Sequence, residues 1–105
     1  MKPYKSYHES LIKALKNPLE AAEYLNVALE EKNEKIFLVA LKNVAEARGG
    51  MAQLSRATKL NRANLYKAFS RHGNPEIQTL WNVLHTFGLR LAVAAKSKYS
   101  LRTAL

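Results

Sequence analysis

Two short stretches of apolar residues at helical spacing lie close together in the middle of the chain. They occupy residues 51–69 and are joined by residues 58–61, a connection too short for two independently packed helices. Asn61 is placed to cap the second helix. This arrangement predicts a helix-turn-helix, a motif whose second helix presents its N-terminal residues to the major groove of DNA. The inward positions are Leu54 and Ala57 in the first stretch, and Leu65, Ala68 and Phe69 in the second.

Three more helices are predicted before this stretch. Residues 6–9 read Ser-Tyr-His-Glu, the form of a capping box that would begin the first helix. Asn17 and Asn33 are suited to cap the second and third helices, and Pro18 fits the first position of the second. The glycines at 49–50 end the third helix. The apolar stripes are Leu11, Ile12 and Leu15; then Leu19, Ala22, Leu25, Ala28 and Leu29; then Phe37, Ala40, Leu41 and Val44.

The chain after the helix-turn-helix changes its period. Residues 73–75 read Gly-Asn-Pro, a turn that would cap and begin a sixth helix ending at Gly88. Apolar residues then alternate over residues 89–95, which predicts one β-strand. A lone strand leaves its backbone unpaired, so it either pairs with the same strand of a second subunit in a dimer or extends over the core as irregular chain. The inward face of the sixth helix is Ile77, Leu80, Trp81, Leu84 and Phe87, with Trp81 assigned to the core.

The length of the chain favours one small domain over residues 1–105, and the patterns above predict that it is mainly all-α with about six helices. Its predicted parts are N-terminal helices (1–50), helix-turn-helix and supporting helix (51–88), strand (89–95) and basic tail (96–105). Apolar residues make up 48% of the chain, which excludes a disordered protein, yet no apolar run approaches the roughly 20 residues that span a bilayer. The chain has no cysteine and no signal-like segment, so we expect a cytoplasmic protein associated with the nucleoid.

Positive charge is concentrated in the half that contains the helix-turn-helix. Residues 1–50 carry eight lysines and arginines against seven glutamates, a net charge of +1. Residues 51–105 carry nine against Glu76 alone, which gives +8 of the total of +9. This asymmetry indicates a polyanionic partner. The alternative is a basic face that only keeps the protein soluble.

Candidate DNA-contacting residues surround the start of the second helix of the motif. Arg62 can pair with guanine, Asn64 can reach adenine, Ala63 can rest against a thymine methyl group, and Lys67 can reach a base or a phosphate. Each is also an ordinary surface residue, and Asn61 is a helix cap before it is a DNA ligand. Phosphate contacts, which position a protein without reading sequence, are expected from Asn61, Tyr66, Arg71, His72 and Asn74, with Arg56 and Lys59 on the approach side.

The residues of this motif resemble those of the Xre/lambda-repressor-like helix-turn-helix family. The match covers residues 54–61, reading LSRATKLN, together with Leu65 and Ala68. Two positions depart from the family pattern, because Ser55 stands where a small alanine is usual and Lys59 where the turn glycine is usual. A left-handed lysine at that position costs on the order of 1 kcal/mol.

A narrower resemblance covers residues 15–95 and is to addiction-module antidote proteins of the HigA type. It rests on NPLEAAEYLN (17–26), ALKNVAEARG (40–49), LYKA (65–68), GNP (73–75), TL (79–80) and FGLRL (87–91). The resemblance implies an antitoxin that neutralises a RelE/ParE-like toxin and represses its own operon by binding operator DNA. Since such toxins tend to be basic, Glu30, Glu31 and Glu34 are candidate toxin contacts; the alternative is a solvated acidic corner.

Enzymatic function has the least support in the sequence. The three histidines, His8, His72 and His85, lack the spacing of metal ligands, and the chain has neither a glycine-rich phosphate loop nor a nucleophile elbow. We therefore expect no catalysis, metal, cofactor, membrane or small-molecule substrate. Pairing of the strand predicts a homodimer, and the resemblance implies that it binds DNA and a toxin. The alternatives are a stand-alone, phage-type transcriptional repressor and a protein that coats nucleic acid without sequence preference.

Overall fold

The computed structural model of the chain describes residues 3–70 and 72–96, and this part of the chain is helical. Short connections join the helices. Six helices occur within the described residues: α1 (Pro3–Ala14), α2 (Pro18–Glu30), α3 (Glu34–Ala47), α4 (Gly50–Thr58), α5 (Arg62–Ala68) and α6 (Ile77–Thr86). Helix α1 packs against α3, and α6 packs against α4.

Asparagine caps fix the starts of α2 and α3, as predicted. The Asn17 side-chain oxygen accepts a hydrogen bond from the Leu19 amide at 2.8 Å, and Pro18 opens the helix. The Asn33 oxygen accepts from the Lys35 amide at 2.9 Å. The predicted capping box at residues 6–9 is wrong, because α1 already begins at Pro3 and runs through these residues. Proline is favourable in the first turn, where its missing amide proton is not needed.

The core is one cluster of buried apolar side chains centred on α3. This helix contributes six buried residues and contacts α1, α2 and α4, whereas α4 in turn contacts α5 and α6. Phe69 and Phe87 are the largest side chains that are fully buried. The helix-turn-helix segment is therefore held against α3 on one side and α6 on the other, which fixes its orientation relative to the rest of the bundle.

The buried face of α4 differs from the predicted one. Met51 and Leu54 are buried and Thr58 is partly buried, at spacing i, i+3 and i+7. Ala57 is exposed, contrary to the prediction, because at 100° per residue it lies about 120° away from Met51 around the helix. Alanine carries so little apolar surface that its placement is decided by its larger neighbours.

The beginning of α6 and its buried face were also predicted wrongly. The helix starts at Ile77 with Glu76 as an extended N-cap, so Pro75 lies before the helix rather than at its first position. Trp81 is 49% exposed and Ile77 is exposed as well. The inward face is rotated relative to the predicted one, because Val83 is buried and Trp81 and Ile77 are not. The face that points inward consists of Leu80, Val83, Leu84 and Phe87.

The end of α6 follows the prediction, and the segment beyond it does not show the predicted strand. Gly88 has a left-handed φ of 79°, and its amide donates to the His85 carbonyl at 2.9 Å while the Leu89 amide donates to the Leu84 carbonyl at 2.8 Å. This is a Schellman termination. Residues 89–96 of the single chain form neither helix nor strand, so pairing of residues 89–95 across a dimer stays a prediction. The basic tail from residue 97 lies outside the described residues.

Candidate nucleic-acid interface

The connection between α4 and α5 consists of residues 59–61 and is tied down by hydrogen bonds. Lys59 adopts a left-handed conformation (φ 63°, ψ 23°), as expected for the position at which the family pattern has glycine, and its amide donates to the Ser55 carbonyl at 2.8 Å. The Thr58 hydroxyl donates to the Leu54 carbonyl at 2.8 Å and accepts from the Leu60 amide at 3.3 Å. The turn therefore satisfies most of its own backbone groups.

Ser55 has a structural role that explains its departure from the usual alanine. Its hydroxyl donates a hydrogen bond to the Leu60 carbonyl, across the turn from α4. A partly buried hydroxyl without a partner would destabilise the fold, whereas this one pairs with a carbonyl of the connection. Ser55 thus adds a link between α4 and the residue just before the cap of α5.

Asn61 caps α5, as predicted from the sequence. Its backbone is extended (φ −64°, ψ 133°), and its side-chain oxygen accepts a hydrogen bond from the Asn64 amide at 3.1 Å. A cap of this kind is worth about 1 kcal/mol. In a helix of only seven residues, such a contribution helps to define where the helix begins.

The predicted base-reading side chains are brought together on the solvent side of α5. Leu65 and Phe69 are buried, and they anchor one face of the helix. At 100° per residue, Ala63 and Lys67 project from the opposite face, Asn64 lies about 100° from Leu65, and Arg62 lies about 60° from Leu65, nearer the buried face. The four side chains are exposed, so in the single chain the leading face of α5 is open to solvent: Arg62, Ala63, Asn64 and Lys67.

The predicted phosphate contacts are spread more widely than the predicted base contacts. Asn61 and Lys59 lie in the turn, Tyr66 is 48% exposed on α5, and His72 is exposed after it. Arg56 is exposed on α4, where its guanidinium donates to the Gln53 side-chain oxygen at 2.8 Å.

The remaining two predicted phosphate contacts are Asn74 and Arg71. Asn74 is exposed, but it lines a groove with residues of α2 and α3. Arg71 lies outside the described residues.

A tight approach at Gly73 controls how the chain leaves α5. A β-carbon at this position would lie 1.9 Å from the Ala68 carbonyl oxygen, which is a backbone atom and cannot move aside as a side chain could. The Gly73 amide donates to the Ser70 carbonyl at 2.9 Å, so the chain turns back sharply onto the end of α5. Gly73 is therefore required by close packing rather than by a left-handed φ.

The charged residues in the sequence segment around this surface are all positive. Residues 47–75 contain six lysines and arginines and no aspartate or glutamate. By contrast, the predicted toxin contacts lie at the junction of α2 and α3: Glu30 ends α2, Glu31 is its C-cap and Glu34 begins α3. All three glutamates are exposed, and none belongs to α4 or α5.

A family model described as "probable addiction module antidote protein" matches residues 7–95 of this chain. The chain belongs to this family. The match includes α2 to α6 and most of α1, so it covers the basic face of α5 and the acidic junction alike. An addiction-module antidote has a regulatory role and, in general terms, a toxin as its partner.

A relative in Haemophilus influenzae supports the family assignment without adding a function. It is described as an uncharacterized protein and is 40% identical over 70 residues, which cover 67% of this chain and 71% of the relative. No solved structure matches the chain at a significant level. The placement of side chains therefore comes from the structure of this antidote protein itself.

The antidote protein also has exposed apolar residues that the sequence patterns did not single out. Val27 on α2 and Ile36 and Val39 on α3 are exposed and line a groove between these helices. The sequence did contain a signal for this exposed apolar surface. Residues 36–41 are six consecutive apolar residues, and one inward face of α3 cannot bury all of them. Within the described residues, no helix is long and apolar enough to cross a membrane, and no group of three potential ligands could hold a metal.

Proposed function

We propose that this protein is the DNA-binding antitoxin of a type II toxin–antitoxin module, which neutralises a RelE/ParE-like toxin and represses its own operon. The observation that carries the DNA-binding part is the exposed leading face of α5, where Ala63 and Lys67 lie opposite the buried anchors and Arg62 and Asn64 are exposed in the first turn. The toxin-binding part is supported by membership of the antidote family. The RelE/ParE class of the toxin rests on the resemblance in sequence.

The proposed division of labour on DNA follows from side-chain chemistry. The Arg62 guanidinium presents the two parallel donors that guanine accepts in the major groove, and the Asn64 amide presents the donor and acceptor that match adenine. Each pairing of this kind contributes about 1–3 kcal/mol of discrimination. Ala63 offers an apolar contact to a thymine methyl group, and Lys67 offers a single charged donor to a base or a phosphate.

The proposed phosphate contacts hold α5 in register over the groove. Lys59 and Asn61 in the turn, with Tyr66 on α5, flank the base-reading face, and Arg56 approaches from α4. Arg71, His72 and Asn74 are proposed as further contacts along the chain after α5. Cations that neutralise phosphates release bound counterions, so the affinity should fall steeply as salt is raised. A homodimer would place two copies of α5 on two half-sites of an operator.

Toxin binding is proposed to use a different part of the surface. Glu30, Glu31 and Glu34 lie together at the exposed junction of α2 and α3, away from the sequence segment that would contact DNA. An acidic junction suits a basic toxin, because complementary potentials speed association and disfavour wrong partners. In the cell, such a protein would be found with its operator on the nucleoid.

Binding to promoter DNA tests the proposal. The purified protein should bind DNA from upstream of its own gene at least about 10³-fold more tightly than random DNA in fluorescence anisotropy at fixed salt. Arg62→Ala should weaken operator binding by about 1–3 kcal/mol and random DNA much less, because it removes a base contact. Lys42→Ala is the matched control, since it removes an exposed positive charge from α3.

Three outcomes distinguish this function from its alternatives. Equal affinity for operator and random DNA would indicate a non-specific coating protein. Specific binding without any toxin partner would indicate a stand-alone repressor. Equal loss on both DNAs in Arg62→Ala would remove Arg62 from the base-reading set while leaving the interface in place.

A further inference from the structure

The surface between α2 and α3 combines three features that the DNA-binding role does not use. We name it the α2–α3 groove and define it by its rim and floor. The floor contains Ala28 and Ala40, which are buried and small, so they leave space above them. The rim is formed by Tyr24, Val27 and Glu31 on the α2 side and by Lys35, Ile36 and Val39 on α3.

The rim of the α2–α3 groove exposes apolar surface that the chain itself does not cover. Val39 is 54% exposed, and Val27 and Ile36 are each 42% exposed. Isolated exposed apolar residues are ordinary, but a contiguous apolar patch rimmed by polar groups is typical of a protein interaction site. Here the three side chains line one groove, with Glu31 and Asn33 beside them.

We propose that the cognate toxin docks in the α2–α3 groove, through a basic surface that has apolar side chains at its centre. This inference rests on the proposed function, since it requires that the antidote binds its toxin directly. The apolar residues would form the dry centre of the contact and the glutamates its charged rim.

Charge complementarity identifies the class of occupant. Residues 18–35, which include α2, the junction and the first residues of α3, contain five glutamates and two lysines, a net charge of −3 in a chain of net charge +9. A second copy of this chain would bring the same acidic surface against itself, whereas a basic partner is attracted to it. Nucleic acid is repelled from this surface for the same reason.

A hydrogen bond between α2 and α3 fixes the position of the two helices that form the groove. The Asn43 side-chain amide donates a hydrogen bond to the Tyr24 hydroxyl at 2.8 Å, which ties α3 to α2. The capped start of α3 at Asn33 fixes the other end of the helix pair. Because the groove is already formed in the free protein, little conformational entropy is lost when a partner binds.

Two substitutions in the groove and one outside it test the proposal. Val39→Arg places a positive charge at the apolar centre on an exposed helical position, and Glu31→Lys reverses a charge on the rim. Tyr7→Arg is the matched control, because Tyr7 is an exposed aromatic residue of α1 (74% exposed) and does not line the groove. The probe is the tagged product of the adjacent gene, co-expressed and then titrated by calorimetry against each variant.

The expected result is a graded loss confined to the groove. Val39→Arg should weaken toxin binding by about thirtyfold or more, as for a central contact residue. Glu31→Lys should weaken it by about fivefold, with a larger effect at low salt because rim charges act mainly through long-range attraction. Tyr7→Arg should bind as wild type, and all three variants should keep their thermal midpoint and their operator affinity.

The contrary results separate this inference from the proposed function. If wild-type protein binds the toxin and both groove variants bind equally well, the groove is not the docking site, although the antitoxin function stands. Equal weakening by Tyr7→Arg would indicate general repulsion between basic proteins and would overturn the placement. If Val39→Arg instead changes the sedimentation coefficient of the free protein, the groove joins two copies of this chain. No binding by wild-type protein would overturn both proposals.

Discussion

Replacing Lys59 by glycine is expected to stabilise the protein while removing a positive charge from the proposed DNA-binding surface. Lys59 ends α4 in a left-handed conformation, with φ at 63° and ψ at 23°. Its exposed side chain makes no contribution to the core, so the folded state gains nothing from the side chain that would offset the backbone cost. The substitution therefore separates the backbone role of this position from its charge.

The magnitude follows from two opposing terms. A left-handed conformation costs a residue with a β-carbon roughly 1–2 kcal/mol, and glycine avoids this cost. Glycine also destabilises the folded state by about 0.5–1 kcal/mol, because it makes the unfolded chain more flexible. The net stabilisation is about 0.5–1 kcal/mol, which raises the thermal midpoint of a domain of this size by about 2–6 °C. Lys59→Ala retains the left-handed cost and should stay within about 0.5 kcal/mol of wild type.

Thermal and urea unfolding of the three proteins measure the backbone term, and DNA binding at several salt concentrations measures the charge. If Lys59 contacts a phosphate, both variants should reduce the slope of log affinity against log salt by about one unit, whatever their stability. A glycine variant no more stable than the alanine variant would refute the argument about backbone strain. An unchanged salt slope in both would remove Lys59 from the phosphate contacts.

Two further substitutions test the packing around the interface. Gly73→Ala should destabilise the fold by about 1–3 kcal/mol in urea unfolding, because its β-carbon meets the Ala68 carbonyl oxygen and the turn after α5 must move; an unchanged midpoint would show that the turn relaxes freely. Tyr24→Phe should cost about 1 kcal/mol by removing the hydrogen bond from Asn43, and Tyr24→Phe combined with Asn43→Ala should cost less than the sum of the single changes. Additive costs would mean that the two side chains do not interact in solution.

Local signals explain why most of the helices could be predicted. Asn17, Asn33 and Asn61 act as caps within their own helices, so the structure needs no information from elsewhere in the chain to place them. The left-handed Lys59 could be predicted from the resemblance, because Lys59 stands where the family pattern has a turn glycine.

The errors arose where tertiary packing decides between neighbouring residues. Trp81 and Val83 both lie on plausible apolar faces of α6, and only the position of the remaining helices determines which of them is buried. The same is true of Ala57 on α4. Asn74 and Pro75 have the composition of a helix start, but the close approach of Gly73 to α5 leads the chain into an extended segment first. Helical periodicity gives no information about a contact between residues 68 and 73.

The candidate site was predictable in its residues and less so in its surroundings. Helical spacing alone places Lys67 opposite Leu65 and leaves Arg62 and Asn64 outward or at the edges of the helix, because a buried anchor on a short helix dictates which side faces solvent. The exposed apolar rim of the α2–α3 groove could not be derived in the same way. An apolar residue is buried or exposed according to how much surface its neighbours already cover, and a run of six apolar residues on α3 leaves that choice open.

The distribution of charge links the two proposed binding surfaces. Residues 18–35 have a net charge of −3, whereas residues 47–75 carry six positive charges and no negative ones. Each proposed partner is therefore attracted to one surface and repelled by the other, which is specificity achieved partly by repulsion. The two surfaces share no residue, so on this scheme a toxin in the α2–α3 groove need not contact the leading face of α5. A basic toxin would also add positive charge to the complex, so on this scheme the toxin favours operator binding through long-range attraction instead of competing with DNA.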